Sequence, residues 1–146
     1  MSSEEERINN LMMESRLLES TFNELTNRQG MLERMLIESR SSLDTIKEVG
    51  SASTEEVLIP VGAGIMIRAT PPKVDKVLIG VGANVVMEKS KEDAEKIMEA
   101  RLKELEEGLM AILSQRSQIA QRLEADRRAL QTYIDRQQQS QQGQSK

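Results

Sequence analysis

Along two long stretches of the chain, apolar residues recur in alternating steps of three and four, and this repeat restricts the fold more than any other feature. The first seam runs Ile8, Leu11, Ser15, Leu18, Phe22, Leu25, Gln29, Leu32, Leu36, Ser39, Leu43, Ile46, with nine of the twelve apolar. The second runs Met98, Leu102, Leu105, Leu109, Ile112, Arg116, Ile119, Leu123, Asp126, Leu130, Tyr133, with nine of eleven apolar. A period of about 3.5 residues, rather than the ~3.6 of an isolated helix, keeps one stripe facing a partner along its whole length and specifies a left-handed coiled coil. The spacing predicts helices over roughly 4–48 and 91–136, each just under about 70 Å at ~1.5 Å per residue. Ser3-Glu-Glu-Glu6 reads as a capping box, Ser90-Lys-Glu-Asp93 as a second N-cap, and Lys47 and Gly50 suit a C-terminal end. Helices of such equal length, joined through a compact middle, pair antiparallel within one chain; the alternative is that each pairs with another chain.

Between the helices the period gives way to short apolar runs broken by Gly and Pro. Val57-Leu-Ile-Pro-Val-Gly-Ala-Gly-Ile-Met-Ile67 returns twenty residues later as Val77-Leu-Ile-Gly-Val-Gly-Ala-Asn-Val-Val-Met87, with six of eleven positions identical. Each copy reads as a β-hairpin turning at Gly62-Ala63-Gly64 or Gly82-Ala83-Asn84. Pro71-Pro72 separates the copies, and Pro60 belongs at an edge or bulge because it has no N–H for a ladder. The runs are apolar on both faces, where a half-exposed strand would alternate, and an isolated hairpin is marginal in water. The region therefore calls for sheets from other subunits, with Val57, Ile59, Val61, Ile65, Ile67, Val77, Ile79, Val81, Val85 and Met87 as the assembly residues. The fold class is α+β: a long antiparallel two-helix coiled coil with two central β-hairpins through which subunits assemble. Residues 1–50 form the first helix, 51–89 the hairpins, 90–136 the second helix, and 137–146 a disordered Gln-rich tail with nothing apolar to bury.

Composition removes most chemistry. There is no Cys or His, which excludes disulfides, thiolate nucleophiles, Ser-His triads and the usual zinc sites. The net charge of −4 disfavours a phosphate backbone as partner, and Glu124 and Asp126 interrupt the arginines of the second helix. A G-x-G-x-x-G match fails at Ile67 and again at Val85, neither glycine turn opens a helix, and no Gly-Lys-Ser/Thr occurs. No nucleotide, metal or other cofactor is expected, and no enzymatic activity. The acidic start is unlike a signal peptide, and no run approaches the ~20 apolar residues of a membrane span. A soluble, cytoplasmic protein is the expectation.

Some apolar residues fall off the seam. Met12 and Met13 take positions e and f, Leu17 takes c, and Ile134 takes e beside Tyr133. In an antiparallel pair, Ile8, Leu11, Met12, Met13, Leu130, Tyr133 and Ile134 meet at the tip farthest from the hairpins. Pairing Ile8 with Tyr133 also sets Ser15 near Asp126 as a polar layer. The apolar cluster reads either as coil-end packing or as an adaptable patch for irregular partners. Met31 and Ile37 point outward mid-coil as well.

Leu58-Ile-Pro-Val-Gly-Ala-Gly64, Val81-Gly-Ala83 and Val86-Met-Glu-Lys89, ahead of a helix containing Glu92-Asp-Ala94, closely resemble the prefoldin α-type subunit over residues 4–136. Two hairpins favour the α type over the β type, and the small Cys-free form is more similar to archaeal than to eukaryotic members. The resemblance implies a hexamer of two α and four β subunits whose hairpins form a β-barrel body on oligomerisation, and ATP-independent holding of unfolded polypeptides at the coiled-coil tips. It also implies delivery of those polypeptides to a group II chaperonin. A structural coiled-coil spacer without clients is the rival function.

Overall fold

The structure, a computed structural model, describes residues 3–49 and 56–144. In chain order it comprises α1 (Ser3–Glu48), β1 (Val57–Gly62), β2 (Ile65–Ala69), β3 (Lys76–Gly82), β4 (Val85–Ser90) and α2 (Lys91–Gln144). The chain divides into two compact units: the N-terminal residues through Leu32 with those from Gly108 on, and Glu33–Glu107.

In the first unit α1 and α2 run antiparallel. Every seam residue there is buried or half-buried, Leu25 and Ile112 most completely. Three polar seam residues, Gln29, Arg116 and Asp126, find partners across the pair or along it. Arg116 Nη1 donates to Gln29 Oε1, and its guanidinium lies 4.6 Å from the centre of the Phe22 ring. Arg122 Nε donates to Glu14 Oε1 at 2.7 Å and also lies 3.4 Å from Asp126 Oδ1. Asp126 is only 2% exposed, and its Oδ2 has no hydrogen-bond partner. Asp126, expected to form a polar layer with Ser15, is engaged by Arg122, a residue outside the seam.

In the second unit the helices pair through Leu36, Leu43 and Met98, all buried, with Arg40–Glu106 and Lys47–Glu99 ion pairs at their rim. α1 has Glu4, Glu5 and Glu6 in its first turn and Lys47 in its last, matching the helix dipole. Ser90 Oγ accepts from Asp93 N at 3.1 Å, the N-cap bond expected of that motif. Lys91 has a further role: its Nζ donates to the carbonyls of Lys47 and Val49, at 3.0 and 3.3 Å. The first residue of α2 therefore satisfies carbonyls that the end of α1 leaves without helical partners. Gly50, expected as the C-terminal signal of α1, lies outside the described residues, as does the start of the 51–89 segment.

The hairpins form two separate two-stranded antiparallel sheets with the same register, β1 with β2 and β3 with β4. Each has a two-residue loop, Ala63-Gly64 or Ala83-Asn84, whose residues all have positive φ as a type I′ turn requires. Alanine takes this left-handed conformation at both turns, at a cost of about 1 kcal/mol each. A bulge follows Pro60 in the first hairpin and Gly80 in the second, and Gly62 and Gly82 beside it sit at φ 110° and 105°, where a side chain would be strained. Pro60 thus sits at the bulge, as its missing N–H demands.

The tail differs from the sequence expectation. Residues 137–144 continue α2 instead of forming a disordered extension. Gln is a good helix former, and adding one residue to an existing helix avoids the cost of a new nucleus. Low hydrophobicity measures what a segment can bury, and a helix that propagates from a packed neighbour needs no burial of its own.

Candidate functional site: two exposed apolar surfaces

The first surface is the pair of hairpins. Leu58, Ile59, Val61, Ile65, Met66 and Ile67 are all exposed in the first, and Leu78, Val81, Val85, Val86 and Met87 in the second. Neighbouring strand residues point to opposite faces, so both faces of the first sheet, and the face of the second that carries Leu78 and Val86, are open and apolar. Nine of the ten expected assembly residues are exposed or half-buried; among the described strand residues only Ile79 is buried. Ile79 departs from that expectation because its own unit holds the second hairpin. Arg101 Nη2 donates to Gly80 O at 3.2 Å, and Lys91 N to Asp75 O at 2.9 Å. Leu58, Met66, Leu78 and Val86, on the other face, were not singled out from sequence, although the two-faced apolar pattern already contained them.

The second surface belongs to the first unit. Ile8, Met12, Leu130, Tyr133 and Ile134 line one cleft of about 490 Å³, together with Glu5, Asn9 and Gln137. Five of the seven residues expected at the tip are therefore brought together. Leu11 is half-buried in the seam, and Met13, at 69% exposed, points away from the cleft lining. Glu5, Asn9 and Gln137 were missed because polarity was read as surface; their places one turn from Ile8, Met12 and Tyr133 were the signal available. Below the cleft the charges are tied down. Glu124 accepts hydrogen bonds from Arg127 and Arg128, and these guanidinium partners, Arg127 foremost, hold its carboxyl down at about 2. The Arg122 hydrogen bond likewise lowers Glu14.

Among the described residues no three or more acidic, His or Cys side chains gather where a metal ion would sit, and no helix is long and apolar enough to cross a membrane.

Two long helices joined through two antiparallel hairpins define a subunit of coiled-coil type, and the comparisons with known proteins give its family, one of chaperones. The prefoldin subunit family model matches residues 18–142, and the chain belongs to the prefoldin family. The prefoldin subunit alpha of Methanospirillum hungatei is 30% identical over 77% of this chain and 73% of its own length. That of Nitrosopumilus maritimus is 26% identical over 93% of this chain and 94% of its own. Within the family this is an α-type subunit. Among solved structures, the chain is similar to one from the cryo-EM structure of filamentous PFD from Methanocaldococcus jannaschii. The TM-score is 0.66 at 25% identity, covering 77% of this chain and 94% of that one.

Proposed function

We propose that this subunit acts as an ATP-independent holdase. Its hairpins join those of other prefoldin subunits in a shared β-barrel body, two α with four β, and its coil end holds non-native polypeptide for transfer to a group II chaperonin in the cytoplasm. On this reading residues 51–89 are the assembly region and the helices on either side form an arm. Nucleic acid and membrane play no part.

The observation that carries the client-binding half is the cleft of Ile8, Met12, Leu130, Tyr133 and Ile134. It is apolar, about 490 Å³, and lined partly by Met, whose flexible thioether adapts to irregular chains. Unfolded polypeptide offers scattered apolar side chains without fixed geometry, which suits an open adaptable groove better than a shaped pocket. Several such ends gripping one chain multiply a weak affinity.

The test is suppression of aggregation of a chemically denatured protein by the assembled complex, without nucleotide. Polar replacement of Met12, Met13 and Ile134 together weakens client capture about tenfold, with affinity multiplied over the arms, and leaves oligomer size and helicity unchanged. A matched variant with polar residues at Met31 and Ile37 retains capture. Equal affinities in the two variants would remove the coil end as the client site, and a spacer without clients would fail to suppress aggregation at all.

A further inference from the structure

The flank of the coil is closed differently in the two units. In the second unit, heptad positions e beside the seam carry the Arg40–Glu106 and Lys47–Glu99 ion pairs. At the coil end, positions e are Met12 and Ile134, 43% and 48% exposed. An apolar stripe confined to a and d suits a two-helix seam, whereas one widened to e belongs to a helix with a further neighbour. Both helices widen the stripe on the same side here, since Met12 and Ile134 line one cleft with Ile8, Leu130 and Tyr133.

The walls of that cleft run along the helix axes. Glu5, Ile8, Asn9 and Met12 form one, and Leu130, Tyr133, Ile134 and Gln137 the other. Each set follows helical spacing, so the groove is about 10 Å long. Apart from the first turn of α1, the backbone groups of both walls are bonded within their own helices. An extended guest finds no strand edge there. Its N–H and C=O groups would lie over an apolar floor, with the side chains of Glu5, Asn9 and Gln137 as partners in the lining. It would also send only about two side chains into that length. A helical guest satisfies its own backbone and lays about three side chains into the same groove, at i, i+3 and i+4. Charge adds a direction: Glu5 is the charged residue of the lining, and Glu4 and Glu6 share its turn. A basic side chain on the guest complements that rim.

We infer that the coil-end cleft takes its client as an amphipathic helix, apolar face inward and Lys or Arg toward Glu5. The guest becomes a local third helix, its ridge of side chains set into the groove between α1 and α2. Non-native chains lack fixed packing but hold fluctuating helical segments, and these are what the cleft selects. The inference rests on the coil end being the client site and adds the conformation and charge of the segment bound there.

The test uses two fluorescently labelled peptides of one composition, built from leucine, glutamine and lysine. One spaces its leucines at the helical period and the other alternates them as a strand does. Each is titrated by fluorescence anisotropy into the purified full-length chain and into the Met12→Gln/Ile134→Gln variant, whose helicity is checked by circular dichroism. The variant weakens binding of the helix-period peptide about tenfold and leaves that of the strand-period peptide unchanged. A lactam bridge that fixes the peptide helix tightens binding to the wild-type chain, because the cost of nucleating the helix is met beforehand. Replacing the lysines of the helix-period peptide by glutamates weakens it. A lactam bridge that weakens binding overturns the inference, as does a glutamate peptide that binds as well as the lysine one. If the variant weakens both peptides equally, the helical conformation falls and the coil end stands as the client site. If it weakens neither, both readings fall.

Discussion

The helix pair and the hairpins solve the same problem in opposite ways. Along α1 and α2 the apolar seam turns inward, and even its misfit residues, Gln29, Arg116 and Asp126, are accommodated by partners on the chain itself. In the hairpins the turns are well formed and the strands pair regularly apart from one bulge each, yet most apolar side chains, Ile79 excepted, are left exposed or half-buried. A helix satisfies its own backbone and needs one stripe covered, which a second helix of the same chain supplies. A two-stranded sheet leaves two edges and two faces, and a single chain with four short strands has too little material to cover them. Local regularity is thus a poor guide to completeness: the helical units are finished by their own chain and the sheets are not.

The comparison breaks most visibly at the hairpins. Val61→Asp or Val81→Asp sets an unpaired carboxylate into the proposed inter-subunit sheet, at a cost of several kcal/mol. The expected outcome is dissociation of the complex in sedimentation or native mass spectrometry, with the helical signal largely kept. Full-size oligomers from both variants would mean that the exposed strands are not what holds the assembly together.

The polar layer in the helix pair gives the next largest effect, and it has two signs. Removing Arg122 leaves the buried Asp126 carboxylate without its ion-pair partner, and Arg122→Ala should destabilise the pair. Asp126→Leu removes the buried carboxylate, including the unpartnered Oδ2, while Arg122 keeps Glu14. That change should stabilise by about 1 kcal/mol or more. Thermal melts of the two variants therefore shift in opposite directions; a shift of both in the same direction would show that Arg122 and Asp126 do not form one unit.

A smaller gain is expected at Gly108, half-buried in α2. A Cβ there meets Leu32 Cδ1 at 3.6 Å, an ordinary contact distance. Gly108→Ala removes the backbone-entropy penalty of a helical glycine without a clash and should add about 0.5–1 kcal/mol, read as a higher melting temperature. Substituting alanine at Gly82 should do the reverse, because φ there is 105°.

The smallest effect is a pH dependence. Glu124 has its pKa depressed from the ordinary 4.5 to about 2 by Arg127 and Arg128. A depressed carboxylate contributes stability above its unfolded pKa and loses it as pH falls through the folded value. The helix pair should therefore lose a little stability between pH 4.5 and about 2. Since the group is solvent-exposed, the slope is shallow and is further flattened by salt. Glu124→Gln should remove that portion of the slope in melts taken across the acid range, and an unchanged slope would assign it to other carboxylates.

Much of the fold was legible because its signals are local. The three-four spacing that runs from Ile8 to Ile46 and from Met98 to Tyr133 names the buried stripe residue by residue, and all of it is buried or half-buried. The repeated Val-Gly-Ala turn and Pro60 announced two hairpins with a bulge. The tail was misread because composition reports the capacity to bury surface, whereas helix propagation through Gln137–Gln144 depends only on the preceding turns. Of the coil-end cluster, sequence spacing identified Ile8, Met12, Leu130, Tyr133 and Ile134 but not the polar rim of Glu5, Asn9 and Gln137.

By itself, then, the sequence determined the two coiled-coil helices, their inward stripes and the paired hairpins, because periodicity and turn chemistry act over a few residues. Only the tertiary structure decided that Lys91 caps the carbonyls of Lys47 and Val49, that Arg101 holds the Gly80 carbonyl, and that Arg122 joins Glu14 to Asp126. The first and last of these contacts span more than forty and one hundred residues of chain, and long, flexible cations reach several candidate partners equally well until the backbones are set side by side.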